Sequence, residues 1–142
     1  MLDAQRLNRK SFGFNGMSEA GSQSLINMAR DLMAPEPACH GGIGTVHSFR
    51  AFERIAGDQR VDFIDFVRIP AGASIGRHFH GDNLETYVIV SGAGEMWFRG
   101  ETLTVGPWDV LVNPPYHEHG LVNASNDEIV LVVFETSHSE HG

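Results

Sequence analysis

Residues 72–92 read GASIGRHFHGDNLETYVIVSG, and the fold follows from how this stretch is read. His78 and His80 are one residue apart, and in a strand residues i and i+2 project to one face, so two imidazoles stand side by side. Gly81, Asp82 and Asn83 have the chemistry of a chain reversal. Glu85 then opens a second strand-like run, ETYVIV, and can point back at the two histidines. Two neutral imidazoles and a carboxylate converging on one point suit Fe, Mn, Ni, Zn or Cu.

Further ligands are available downstream, where NPPYHEHGLVN places His117 and His119 at the start of another strand-like run. At this point the chain resembles the cupins. The first pattern of that family is Gly, five residues, His-x-His, three or four residues, Glu, six residues, Gly, and Gly72, His78, His80, Glu85 and Gly92 occupy every fixed position. The second pattern is Gly, five residues, Pro-x-Gly, two residues, His, three residues, Asn. Pro114, His119 and Asn123 fit it, whereas Trp108 and Tyr116 stand where the family has glycine. The resemblance covers roughly residues 63–134. It implies an all-β fold, a single-domain cupin double-stranded β-helix, with His78, His80, Glu85 and His119 holding one divalent metal ion. His117 remains the alternative to His119.

A chain of 142 residues reads as one domain. Cys39 is the sole cysteine, which removes any internal disulfide and fits a reducing, cytoplasmic setting. No apolar run is long enough for a membrane-spanning helix, and the start, MLDAQRLNRK, lacks the apolar core of a signal peptide. The net charge of −8 favours solubility and argues against a nucleic-acid partner, which selects a basic face. Sixteen glycines with short Val/Ile runs point to many strands and tight turns.

Residues 1–21 read as a polar arm whose Phe12 and Phe14 can dock on the barrel or on a second subunit. Residues 22–33 read as a short helix with Leu25, Ala29 and Leu32 on one face, ended by Pro35. Residues 35–44 form a Pro/Gly linker in which His40 reads as a solvated loop side chain. Strands are expected near 45–55, 61–69, 86–90, 95–98, 103–105, 110–112, 118–122 and 129–135, separated by turn signals at the spacing of an all-β barrel. Arg50 reads as a surface residue, with reach to a substrate carboxylate as the alternative. The resulting division is arm and short helix at 1–44, barrel at 45–136 and polar tail, with His138 and His141, at 137–142.

Strand alternation predicts the lining. If Glu85 faces inward, so do Tyr87 and Ile89, while Val88 and Val90 face out. If His119 faces inward, so does Leu121, and one of the pairs Met96/Phe98 or Glu95/Trp97 joins them, with Met96 and Phe98 the favoured pair. This makes Ile89, Met96, Phe98 and Leu121 the expected substrate pocket, mostly apolar, for a small organic molecule, with plain barrel core as the equal alternative for Ile89, Phe98 and Leu121. Tyr87 and His117 are the candidate proton-transfer or orienting residues. Four protein ligands leave open positions on a six-coordinate ion, unlike a closed, thiolate-rich structural zinc site. The expected activity is metal-dependent catalysis: an iron-dependent dioxygenase first, with a Zn, Ni or Mn isomerase, cyclase or lyase as the alternative and a non-catalytic binding cupin as a third reading. Outward Val88 and Val90, with Trp97, predict a homodimer.

Overall fold

The computed structural model describes residues 27–54 and 60–137. Its ten strands are β1 (Ala34–Pro37), β2 (Thr45–Glu53), β3 (Val61–Ile69), β4 (Ser74–Phe79), β5 (Leu84–Ser91), β6 (Gly94–Phe98), β7 (Glu101–Val105), β8 (Val110–Asn113), β9 (Glu118–Val122) and β10 (Ile129–Thr136). They form two antiparallel sheets, one in the order β1-β2-β3-β10-β5-β8 and the other in the order β4-β9-β6-β7.

Alternation along the strands explains the layering. In β10, Ile129, Leu131 and Val133 are buried and the residues between them are only partly covered. Leu131 lies opposite Val67 on one side and Ile89 on the other, and Val133 lies between Asp65 and Tyr87. On the smaller sheet Leu121 is paired with Ile75 and with Met96. These inward rows meet as one core that includes Ile69, Ile75, Ile89, Met96, Leu121 and Leu131. Burying each such side chain contributes about 1.5–3 kcal/mol.

Asn123, the last fixed residue of the second pattern, is wholly buried. Its amide donates to the Ile69 carbonyl at 2.9 Å and to the Asp127 carbonyl at 2.7 Å, so it pins the β9–β10 turn to the end of β3.

One irregularity matters for the site. Ile75 pairs with Leu121 and His78 with His119, so three steps on β4 answer two on β9. In a regular strand, residues three apart face opposite ways; the bulge restores both Ile75 and His78 to the inner face.

The N-terminal side departs from expectation. Of the helix predicted over 22–33, the described part is a single wide turn, Met28–Leu32, capped by Asn27, whose side chain accepts from the Arg30 N–H at 2.9 Å. Pairing begins upstream of residue 45, because β1 lies antiparallel to β2 with Ala34 opposite Ser48. Pro35 and Pro37 are compatible with this because β1 is an edge strand. Residues 1–26 and the tail from 138 lie outside the described residues. No helix among the described residues is long and apolar enough to cross a membrane.

Candidate metal centre

Three short pieces of chain bring four ligand atoms together. His78 comes from the bulged end of β4, His80 from just beyond it, Glu85 from the start of β5 and His119 from β9. One ligand atom from each lies within 4.8 Å of all the others. His119 Nε2 is 3.0 Å from His80 Nε2, 3.1 Å from His78 Nε2 and 3.0 Å from Glu85 Oε1. Glu85 Oε1 is a further 3.4 Å from His80 Nε2 and 3.8 Å from His78 Nε2.

These atoms fit a cation. His78 Nδ1 donates to the Gly76 carbonyl at 2.8 Å, which leaves its Nε2 as a lone pair aimed at the group. His119 is fully buried, and its Nδ1 has no hydrogen-bond partner. Three imidazole nitrogens facing one carboxylate oxygen cannot all satisfy each other with the protons neutral rings carry. Ligand atoms about 2.1 Å from a shared ion stand roughly 3.0 Å apart at right angles and about 3.4 Å apart at tetrahedral angles. Four of the five observed separations fall in that range, and the His78–Glu85 distance of 3.8 Å lies just above it. The remaining outer contact is His80 Nδ1, 3.7 Å from Glu135 Oε1.

Electrostatics point the same way. Burial pushes Glu85 up, but the facing His119, His78 and His80 rings hold its carboxyl well below the usual carboxylate range. Burial drives His119 down, keeping its ring neutral despite Glu85. His80 is pulled the other way: burial disfavours its charge, yet Glu135 and Glu85 raise it to about 10 in the metal-free group. A cation at the shared point would replace that proton.

A cavity of about 140 Å³ adjoins the group, with His80 and Glu85 in its wall. Its apolar walls come from Val46, Phe63, Val67, Ile75 and Val133, and its polar wall from Glu36, Ser48, Arg50 and Glu135. Tyr87 also lines it, 2% exposed and with its ring 4.7 Å from the His119 ring. Burial, reinforced by the nearby Glu85 charge, raises the Tyr87 phenol well above its ordinary value, so it stays protonated and can donate.

The expected lining needs correction. Ile89, Met96 and Leu121 face inward as predicted but are wholly buried in the core, and neither they nor the half-buried Phe98 line this cavity. Parity identifies the inner face of a strand; it does not give depth along the barrel. The walls come largely from β2, β3 and β10, joined by Glu36 of β1, Ile75 of β4 and Tyr87 of β5. His117 stands outside the metal group. It is exposed, donates through Nδ1 to the Pro115 carbonyl at 2.8 Å and lines an outer groove with Trp97, Arg99 and Tyr116. The left-handed turn at Tyr116 precedes the first residue of β9, so the alternation that includes His119 does not reach back to His117. Arg50 is not a plain surface residue: it lines the cavity while paired with the buried Asp65 through Nε at 2.9 Å and a second nitrogen at 3.1 Å.

His40 was missed. It lies in a turn, Cys39–Gly41, and its ring stacks on His78 with centroids 3.8 Å apart and planes 13° from parallel. It lines the same cavity. Nothing in the linker composition signals this.

Two sheets closed around a three-histidine, one-carboxylate group define a small β-barrel with a candidate metal centre. The chain belongs to the cupins: the Cupin_2 family model, described as a cupin domain, matches residues 65–135, a span that includes all four candidate ligands. A curated relative, the oxalate-binding protein of Thermotoga maritima, is 25% identical over 89 residues, covering 63% of this chain and 74% of that protein. The crystal structure of a predicted oxalate decarboxylase from Thermotoga maritima superposes with a TM-score of 0.72 at 21% identity, covering 80% of this chain and all of the other. A Cupin 2 conserved barrel domain protein from Salinispora arenicola gives a TM-score of 0.63 at 16% identity over 81% of this chain and 89% of that one. At these identities the two solved structures support the fold alone.

Proposed function

We propose that this cupin is a metal-dependent enzyme that converts a small, partly apolar organic molecule, and that its reaction is an iron-dependent oxygenation. The observation that carries the reading is the four-ligand group opening directly onto the 140 Å³ cavity. A structural ion would be sealed on all sides, whereas His80 and Glu85 are both ligand candidates and cavity wall. Bound iron would supply the redox chemistry with oxygen. The chain's own residues do the rest: Val46, Phe63, Val67 and Val133 hold apolar bulk, limit water and orient the substrate. Tyr87, kept as a phenol, donates a hydrogen bond to a substrate oxygen.

The Thermotoga relative is named for binding oxalate. Glu36 and Glu135 face the same cavity as Glu85, and Arg50 already holds Asp65 in a two-point pair. That balance disfavours a small dianion and favours a substrate with apolar surface. The second reading is Lewis-acid isomerase, cyclase or lyase chemistry, which the same nitrogen and oxygen ligands support with Zn, Ni or Mn.

Elemental analysis of anaerobically purified protein, followed by oxygen uptake with candidate substrates, tests the reading. Tyr87→Phe is expected to lower kcat by about 10²-fold or more while leaving metal content unchanged. If zinc-loaded, iron-free protein turns over at full rate without oxygen, the oxygenase reading fails and the Lewis-acid reading replaces it. The assembly expected is a homodimer through the outer face of β5 and β8, where Val90, Val110 and Val112 are exposed. Sedimentation showing only monomer at micromolar concentration would sink it.

A further inference from the structure

His40 combines three observations that a connecting loop does not require. Its backbone is left-handed, with φ 48° and ψ 37°. A non-glycine residue held there costs about 1–2 kcal/mol. Gly41 and Gly44 of the same segment meet positive φ with glycine, whereas Ala38 and His40 meet it without; what sets residue 40 apart from Ala38 is the ring it lays on His78. Strain of this kind persists where surrounding structure enforces it, often at a functional site.

The enforcing structure is the seam between this turn and β4. The Ile43 N–H donates to Ser74 Oγ and the Ser74 N–H donates back to the Ile43 carbonyl, both at 2.8 Å. Backbones approach so closely that a Cβ on Gly76 would lie 2.2 Å from the His40 carbonyl oxygen, and one on Gly42 would lie 2.3 Å from the Ser74 carbonyl oxygen. Gly76 therefore acts on both rings. Its carbonyl holds His78 Nδ1, and its missing side chain admits the residue-40 backbone that lays one imidazole on the other.

We propose that His40 is a positioning residue of the metal centre and the outer cover of its cavity. The flat ring lies on His78 and, with the Gly76 carbonyl, restrains that ligand to the one orientation in which Nε2 faces His119 and Glu85. His40 itself remains exposed on its other side, so it also shields His78 from solvent at the cavity mouth. This inference rests on the metal-centre reading above. It adds a restraint from a segment outside the matched residues 65–135.

The test titrates the metal-free full chain with Co(II), reading affinity by competition and ligand geometry by the visible absorption band. Wild type, His40→Gly, His40→Ala and His40→Phe are compared. Wild type is expected to bind one equivalent. His40→Gly and His40→Ala are expected to bind about 10-fold more weakly, the lower end of what outer-sphere partners of a ligand contribute, with a shifted or broadened band. His40→Gly also relieves the backbone strain, so its thermal midpoint should be equal to or above wild type, which separates lost positioning from lost folding. His40→Phe keeps a flat ring and should recover most of the affinity. Wild-type affinity and spectrum in His40→Gly and His40→Ala, or a His40→Phe as weak as His40→Ala, would overturn the proposal. Absence of Co(II) binding by wild type would instead overturn the metal-centre reading, and His40's role with it.

Discussion

The two halves of the site sequence meet one backbone demand in opposite ways. In the first half, Gly72 and Gly92 have φ of 80° and 82°. In the second half, Trp108 and Tyr116 occupy the positions where the family pattern has glycine, and they have φ of 74° and 61°. The turn geometry is thus retained while the residue that makes it cheap is absent. Hydrogen bonds to the first half hold it in place: the Trp108 N–H donates to the Ile89 carbonyl and the Tyr116 N–H to the Gly81 carbonyl, each at 2.8 Å. Both aromatic side chains are largely exposed, at 83% and 63%, so burial offsets little of the strain. A conformational requirement belongs to the position in the fold, and glycine is only its least costly answer.

The largest expected effect probes the ligands that the halves contribute, three from the first and one from the second. Glu85→Ala and His119→Ala should each weaken metal binding by more than about 100-fold, beyond the range of outer contacts, measured as metal content after dialysis. If only the first-half variant loses its ion, the halves differ in chemistry as well as in turn geometry.

Next comes Gly92→Ala. Its Cβ would lie 2.3 Å from the Glu128 carbonyl oxygen and 2.8 Å from Ile129 Cα, on backbone that cannot step aside. Overpacking added to left-handed strain should destabilise by about 2–4 kcal/mol in urea unfolding. Gly72→Ala sharpens the same point, because nothing lies within 4 Å of its Cβ position. Strain alone remains, about 1 kcal/mol, so a loss as large as that of Gly92→Ala would show that Gly72 is packed rather than merely twisted.

The smallest effect has the opposite sign. Trp108→Gly and Tyr116→Gly should each stabilise by up to about 1 kcal/mol, since relief of the left-handed penalty exceeds the added flexibility of the unfolded chain. A drop in the urea midpoint for either variant would break the comparison, by showing that the exposed ring makes contacts that stabilise the fold.

The candidate ligand residues were legible because the signal is local. His78 and His80 are set by alternation, Glu85 by the short reversal after them, and His119 by its spacing from Pro114 and Asn123 through the family resemblance. Strand positions from β3 onward were legible for the same reason: alternating residues and turn chemistry act over a few positions. The strand expected near 45–55 is the nine-residue β2, and a bulge near Arg50 in its pairing with β3 accounts for its irregular alternation.

What the sequence by itself determined is therefore the residue types that can bind a metal and the inward face of most strands. Only the tertiary structure decided which residues of the one core reach the cavity wall, as Val67 and Val133 do and Ile89, Met96 and Leu121 do not. It also decided the bulge that turns His78 inward, the edge pairing of β1 and the placing of His40 on His78. Each of these depends on contacts between residues remote along the chain, such as His40 with Gly76 and His78 with His119. Local propensity and periodicity carry no record of such distances, because they are set only when the two sheets close on each other.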